Sequence, residues 1–274
     1  NRLGSFALAA LATVAFLAFD LFKGGRLIVW SPLGYDLIGG ARYYGIGNEY
    51  MGIMVGATII GLACLKELLI SAGFRLSEKA MWLAEALIFL GVLFILASPR
   101  IGANLGGALT AFSAFAITLA KSAGRRVGKR EIALICAGGA VMVLVLSFLD
   151  ALAGKGAESH LGKMVETVQS GGIIELLNIF RRKIAMNLRL IRYTVWTKAL
   201  IASFAVLITL CVRPSGLLAR TLRRHTAFAN GLIGSLVGCG VGFFVNDSGV
   251  VAAATGILFP TAVLLYLVME EGRI

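Results

Sequence analysis

Charge is scarce in this chain. Asp, Glu, Lys and Arg make up 15% of its 274 residues, where a soluble domain carries about 25%. Proline is rare at four, and histidine rarer at two, His160 and His225. Two histidines exclude a His-rich metal site. The four cysteines, Cys64, Cys136, Cys211 and Cys239, fall inside apolar segments with no CxxC spacing. They read as small packing residues rather than redox or metal ligands. No long repeat and no low-complexity segment interrupts the chain. It starts at Asn1 without a methionine or signal peptide, which fits a piece of a longer protein.

Apolar residues are abundant instead. They make up 58% of the sequence, and the mean hydropathy is +0.88. A soluble fold would have to hide several apolar runs of about 18 or more residues. The expected fold class is therefore all-α, a polytopic transmembrane helix bundle with about eight spans. These lie near 3–22, 49–70, 80–98, 101–120, 132–153, 196–212, 227–245 and 248–268. Residues 1–274 read as a single membrane domain. The two spans around "SPRIGA" need a tight hairpin between them.

The net charge is +12, but no nucleic-acid-binding motif accompanies it. The basic residues flank apolar segments, where topology and lipid headgroups explain them. The short loops 71–79 and 213–226 and the run "KSAGRRVGKR" are basic and are expected on the cytoplasmic side. Both termini then lie inside, and loops 23–48, 98–101, 154–195 and 246–247 lie outside. The 154–195 loop is basic against this trend. An amphipathic helix near 178–195 is expected on the outer surface, with Phe180, Ile184, Leu188, Ile191 and Val195 on one face. Arg182, Arg189, Tyr193 and Trp196 lie broadly opposite.

Three polar motifs converge under this topology. "RYYGIGNEY" precedes the second span, "SPRIGANLGG" opens the fourth, and "FFVNDSG" joins the seventh to the eighth. All three lead into helices running from outside to inside. Helix N-termini present free N–H groups and the positive end of the dipole, which suits anions. With Arg42 and Arg100 beside them, they would form an outward pocket for phosphate or pyrophosphate. Glu49 and Asp247 would be general bases, or partners holding the arginines. Tyr44, Asn48, Asn104, Arg189, Arg192, Asn246 and Ser248 would bind substrate. Asn104 is read as an amide about one turn into its span, in need of a partner.

Plainer readings stand beside these. Asn246, Asp247 and Ser248 are ordinary turn and cap residues. Arg100 suits a hairpin touching lipid headgroups, and Arg42 with Glu49 suits an ion pair closing a loop. Tyr43 and Tyr44 fit an aromatic belt. His160 reads as an exposed loop residue. Asp20 and Asp150 sit near outer span ends, solvated or paired. Gly52 and Gly56, Gly102 and Gly106, and Gly234, Gly238 and Gly242 have the spacing that lets membrane helices approach closely.

The set "GARYYGIGNEYMG", "PRIGANLGG" and "VNDSGVVAAA" resembles an uncharacterised family of bacterial polytopic membrane proteins. In some members such a region follows an extracytoplasmic alkaline-phosphatase-like domain. That resemblance implies the bacterial cytoplasmic membrane and a fused or partner extracytoplasmic domain, but no activity. More loosely, the order of motifs is similar to O-antigen ligases and polymerases, which join lipid-linked glycans on the outer face. This second resemblance implies a polyprenyl-phosphate-linked substrate, with Arg42, Arg100, Arg189, Arg192 and His160 as the matching residues. The chain departs from it in reading Ser-Pro-Arg rather than Ser-Arg-Gly and in having fewer spans. The function expected is an outward site for a lipid-linked phosphate or glycan in envelope assembly. The alternatives are an ion-coupled secondary transporter and a non-catalytic membrane anchor. No cofactor is specified by the sequence.

Overall fold

A computed structural model describes residues 2–31, 33, 45–74, 77–152, 174, 177–178, 181–192, 195–212 and 216–272. Within them the chain forms helices and turns and no strand. The order is α1 (Arg2–Phe22), α2 (Arg26–Val29), α3 (Asn48–Ser71), α4 (Glu78–Ala97), α5 (Leu105–Ser122) and α6 (Lys129–Leu152), followed by α7 (181–192), α8 (Val195–Val212), α9 (Gly216–Arg224), α10 (Thr226–Val245), α11 (Gly249–Gly256) and α12 (Leu258–Glu271). Long apolar runs become helices because only a helix satisfies its backbone within a single segment once water is excluded.

Among the described residues, seven segments are long and apolar enough to cross a membrane: α1, α3, α4, α5, the first twenty residues of α6, α10, and α11 with α12. That character fits a polytopic membrane protein. The segment expected at 196–212 coincides with α8, which lies outside those seven.

The helix ends follow local chemistry. After α3, Gly73 takes φ 76°. Its N–H bonds the Ile70 carbonyl at 3.1 Å, and the N–H of Phe74 reaches Leu69 at 3.0 Å. Gly124 closes α5 in the same left-handed way, with Arg125 bonding Ala120 at 2.9 Å. This paired pattern satisfies the last carbonyls of a helix and needs a residue tolerant of positive φ. Asp20 is buried and paired with backbone: its two oxygens accept from the N–H groups of Leu27 and Ile28 at 3.0 and 2.8 Å.

Helix α3 is the hub. It touches α1, α4, α5, α10, α11 and α12, and most of its length is buried. Helix α10 runs antiparallel between α3 and α5. Its glycine ridge lies on a ridge of small α5 residues: a Cβ on Gly238 would sit 2.6 Å from the Ala114 Cβ, and one on Gly242 would sit 3.1 Å from Thr110. Gly52 and Gly56 of α3 do the same against α11, where a Cβ on either would strike backbone of Ala252 or Gly256. The small-residue spacings thus bring backbones together. Helix α6 is peripheral, packing on α5 with most of its surface bare.

These packings give the bundle two distinct ends. One, the asparagine end, gathers the starts of α3, α5 and α11 and the end of α10. The opposite end is tied by Glu67 of α3. One of its oxygens accepts from the first-turn N–H groups of Ala227 and Phe228 in α10, at 2.8 and 3.4 Å. Its other oxygen lies 3.6 Å from His225 Nδ1.

The last span, expected at 248–268, is one apolar segment over Gly249–Glu271. Ile257, which separates α11 from α12, keeps helical angles, bonds the Ala253 carbonyl at 3.2 Å and accepts from the Thr261 N–H at 2.9 Å. Pro260 has no N–H to offer the Gly256 carbonyl four residues back, and its ring crowds that carbonyl. One expectation about segments is corrected. The fourth span starts at Leu105, not 101, because residues 98–104 are used in the hairpin. There the N–H groups of Gly102 and Asn104 bond Ile95 and Leu96 at 2.9 and 3.0 Å, and Ala103 sits at φ 49°.

Candidate functional site

The asparagine end is built from three short motifs that touch one another. Ile46 donates its N–H to the Gly102 carbonyl at 2.9 Å. Gly45, at φ 71°, lies so close to that carbonyl that a Cβ would collide with it. The stretch before α3 is therefore laid directly on the hairpin before α5.

Asn104 fastens this crossing. It is the N-cap of α5, not a residue one turn inside the helix, and its Oδ1 accepts from the Gly107 N–H at 2.8 Å. Its amide nitrogen donates to the Ile46 carbonyl at 3.1 Å and lies 3.5 Å from Asn48 Oδ1. Asn104 is buried, so every one of these groups is a partner it cannot obtain from water. Asn104→Ala is expected to lower stability by about 1–3 kcal/mol, as a lost cap combined with an unsatisfied carbonyl. The melting temperature of the purified protein checks this.

Asn246 supplies the third contact. Its Nδ2 donates to Thr110 Oγ1 at 3.1 Å and to the Gly242 carbonyl at 2.9 Å. Its Oδ1 rests against Gly106, where a Cβ would collide with it. Ser248 is buried at the N-cap of α11, without a side-chain cap bond.

Two residues absent from the sequence expectations complete the end. Asn187 of α7 donates to the Phe243 carbonyl at 2.9 Å and to the Asn246 carbonyl at 3.4 Å, and its Oδ1 accepts from the Val250 N–H at 3.1 Å. One amide thus bridges the end of α10 and the start of α11. Lys183, one turn earlier, donates to the Val245 carbonyl at 2.5 Å and lies 3.2 Å from Asp247 Oδ1. A cation at the last carbonyl of a helix is well placed for its dipole. The ion pair itself is exposed on the Asp247 side and is worth about 0–1 kcal/mol.

The inward stripe of α7 is therefore Lys183, Ile184, Asn187, Leu190 and Ile191. Leu188, expected on the apolar face, is exposed. The periodicity contained the clue, since Asn187 falls at helical spacing among Ile184, Leu190 and Ile191. An amide on an apolar stripe signals a buried partner.

The remaining candidates are distributed unevenly. Glu49 is buried in the first turn of α3, with Oε2 folded back over Gly47. Arg100 is exposed at the hairpin tip and makes no hydrogen bond or ion pair among the described residues. Arg189 and Arg192 are exposed on α7, as are Arg181 and Arg182. Arg42, Tyr43, Tyr44 and His160 lie outside the described residues. No cluster of three or more His, Cys, Asp or Glu side chains could hold a metal among the described residues.

The chemistry of this end divides by depth. Below the surface, amides are spent on backbone: Asn104 takes an N–H at the mouth of α5, and Asn187 takes one at the mouth of α11. At the surface, Arg100, Arg181, Arg182, Arg189 and Arg192 are exposed. The chain matches no family model, no curated protein and no solved structure.

Proposed function

We propose that the protein is a multi-pass protein of the bacterial cytoplasmic membrane whose asparagine end faces outward and receives a lipid-linked phosphate or glycan during cell-envelope assembly. One observation carries this reading: Asn187 fastens the inward face of α7 to the α10–α11 turn, which leaves the arginines of its opposite face exposed. Arg181, Arg182, Arg189 and Arg192 then form an exposed cationic rim at the end where Arg100 also lies. The basic loops 71–79, 121–130 and 213–226 belong to the opposite end, which the positive-inside tendency assigns to the cytoplasm. Arginine's planar fork suits phosphate oxygens. Asp247, exposed beside Lys183, is the carboxylate an incoming hydroxyl would reach, whereas Glu49 is buried. The resemblance to envelope glycan enzymes supports the same substrate class, and a fused or partner extracytoplasmic domain would be its recipient.

The test is binding of a polyprenyl phosphate to the protein in nanodiscs, with the uncharged polyprenol as control. The phosphate is expected to bind more tightly. Arg100→Ala and the pair Arg189→Ala and Arg192→Ala are expected to weaken it about tenfold or more, the scale of one lost charge-assisted hydrogen bond. Equal binding of phosphate and alcohol, unaffected by these variants, rejects the proposal.

A second reading, an ion-coupled transporter, draws on Gly256 and Pro260 within the last span, since Gly- or Pro-interrupted apolar segments line the substrate and ion paths of many transporters. Cation-dependent uptake into proteoliposomes would favour it over the first reading.

A further inference from the structure

The apolar surface of α1 does not stop where the helix does. Residues 3–19 hold no charged side chain, and α1 spans roughly 31 Å, close to the thickness of a bilayer's hydrocarbon core. Phe16 and Phe19 stand exposed on this span. Exposed apolar groups continue beyond it through Phe22, Leu27 and Trp30, and Trp30 is 88% exposed. Such a patch is a liability in water; continuous with a membrane span, it marks a membrane contact.

The corner that carries the patch is fixed. The chain turns at Gly24 and Gly25, both at positive φ, and the buried carboxylate of Asp20 holds the N–H groups of Leu27 and Ile28. Ile28 is buried, while Leu27 and Trp30 are left exposed. Two cations frame the patch: Lys23, whose ammonium lies 5.8 Å from the centre of the Phe19 ring, and the exposed Arg26. Charge excludes a seat deep in hydrocarbon. Aromatic and apolar groups with basic ones beside them suit the boundary where acyl chains meet headgroups.

This corner is level with the asparagine end. Helix α1 runs antiparallel to α3, with Gly4 beside Leu68 and Leu11 beside Gly61. At the other end of the pair, the hydroxyls of Ser31 and Tyr50 are hydrogen-bonded to each other. A Cβ on Gly25 would lie 3.6 Å from the carbonyl of Gly45, the residue that rests on the hairpin before α5.

We infer that the α1–α2 corner is a lipid-binding anchor: Leu27 and Trp30 sit at the headgroup boundary of the leaflet on the asparagine side, with Lys23 and Arg26 on its anionic phosphates. Each basic residue near an anionic membrane surface adds attraction, so anionic phospholipid is preferred over zwitterionic. Asn48 and Asn104 then lie near headgroup depth, and a ligand carried on a lipid reaches this end without leaving its leaflet. The anchor stands whether or not the arginine rim takes a phosphate.

The test is tryptophan fluorescence of the protein reconstituted in phosphatidylcholine vesicles. Trp82→Phe with Trp196→Phe leaves Trp30 as the only tryptophan. Bromines near the carbonyl end of the acyl chain are expected to quench Trp30 more strongly than bromines near the chain terminus. A minor fraction of brominated phosphatidylglycerol is expected to quench more than the same fraction of brominated phosphatidylcholine. Lys23→Gln with Arg26→Gln is expected to erase that difference. Quenching by aqueous iodide but by neither bromolipid overturns the inference, as does a Trp30 shielded from all of them by a second copy or another segment. Strongest quenching from the chain terminus overturns it too, as does an absent phosphatidylglycerol preference or one that survives the loss of Lys23 and Arg26. If the double Phe variant fails to fold, the difference between the wild type and Trp30→Phe gives the same reading.

Discussion

Gly56→Leu is expected to leave little folded protein, read as loss of the monodisperse peak in detergent. The Cα of Gly56 faces the carbonyl of Gly256 so closely that any Cβ collides with main chain. Side chains can rotate away from a clash; a carbonyl in a packed helix cannot. The helices α3 and α11 would have to separate, and α3 is the hub that five other elements also share. Overpacking a core costs about 1–3 kcal/mol where side chains can adjust, and this site is expected at or above that upper value. Gly91→Leu is the matched control. Gly91 lies within α4, and a Cβ there meets nothing within 4 Å. The change is expected to fall within about 0.5 kcal/mol of the wild type. Equal behaviour of the two variants would mean that the α3–α11 seam is not the tight one.

Asn187→Ala is expected to be the most damaging change among the polar side chains. It strands the Val250 N–H and the Phe243 carbonyl, and each buried group left unpaired costs about 1–3 kcal/mol. The melting temperature should fall, and hydrogen exchange should quicken at the first amides of α11. Lys183→Met, one turn away, removes an exposed ion pair and is expected to change stability by less than about 1 kcal/mol. If Asn187→Ala exchanges like the wild type at Val250, the amide does not hold α11 in place.

The contrast between these two residues marks what a sequence can disclose. The spans were legible because apolar runs announce themselves locally; α1, α3, α4 and α10 fall within about two residues of their expected limits. Partners were not legible. Asn187 binds residues 56–63 positions away, and nothing in its neighbourhood names them. Asn104 was recognised as an amide needing a partner, but its role as a cap depended on where the hairpin ended, and boundaries are the weakest part of any pattern reading. Of the three polar motifs, the parts described are in contact: Gly45 with Gly102, Asn48 with Asn104, and Asn246 with Gly106. Arg42 and Tyr44 fall outside the described residues.

The position of α10 between α3 and α5 has a consequence for the order of synthesis. Its bonds reach back to partners made long before: 160 positions from Ala227 to Glu67, and 136 from Asn246 to Thr110. As the ribosome delivers the chain, α1 to α6 enter the membrane with a groove between α3 and α5 that only the last fifty or so residues fill. Until then, the Glu67 carboxylate and the Thr110 hydroxyl face that vacancy without the helix that later covers them. Such a nascent intermediate must be shielded by lipid, by water or by an insertion chaperone. A chain that terminates before residue 226 would carry most of its apolar spans, yet lack the piece around which they close.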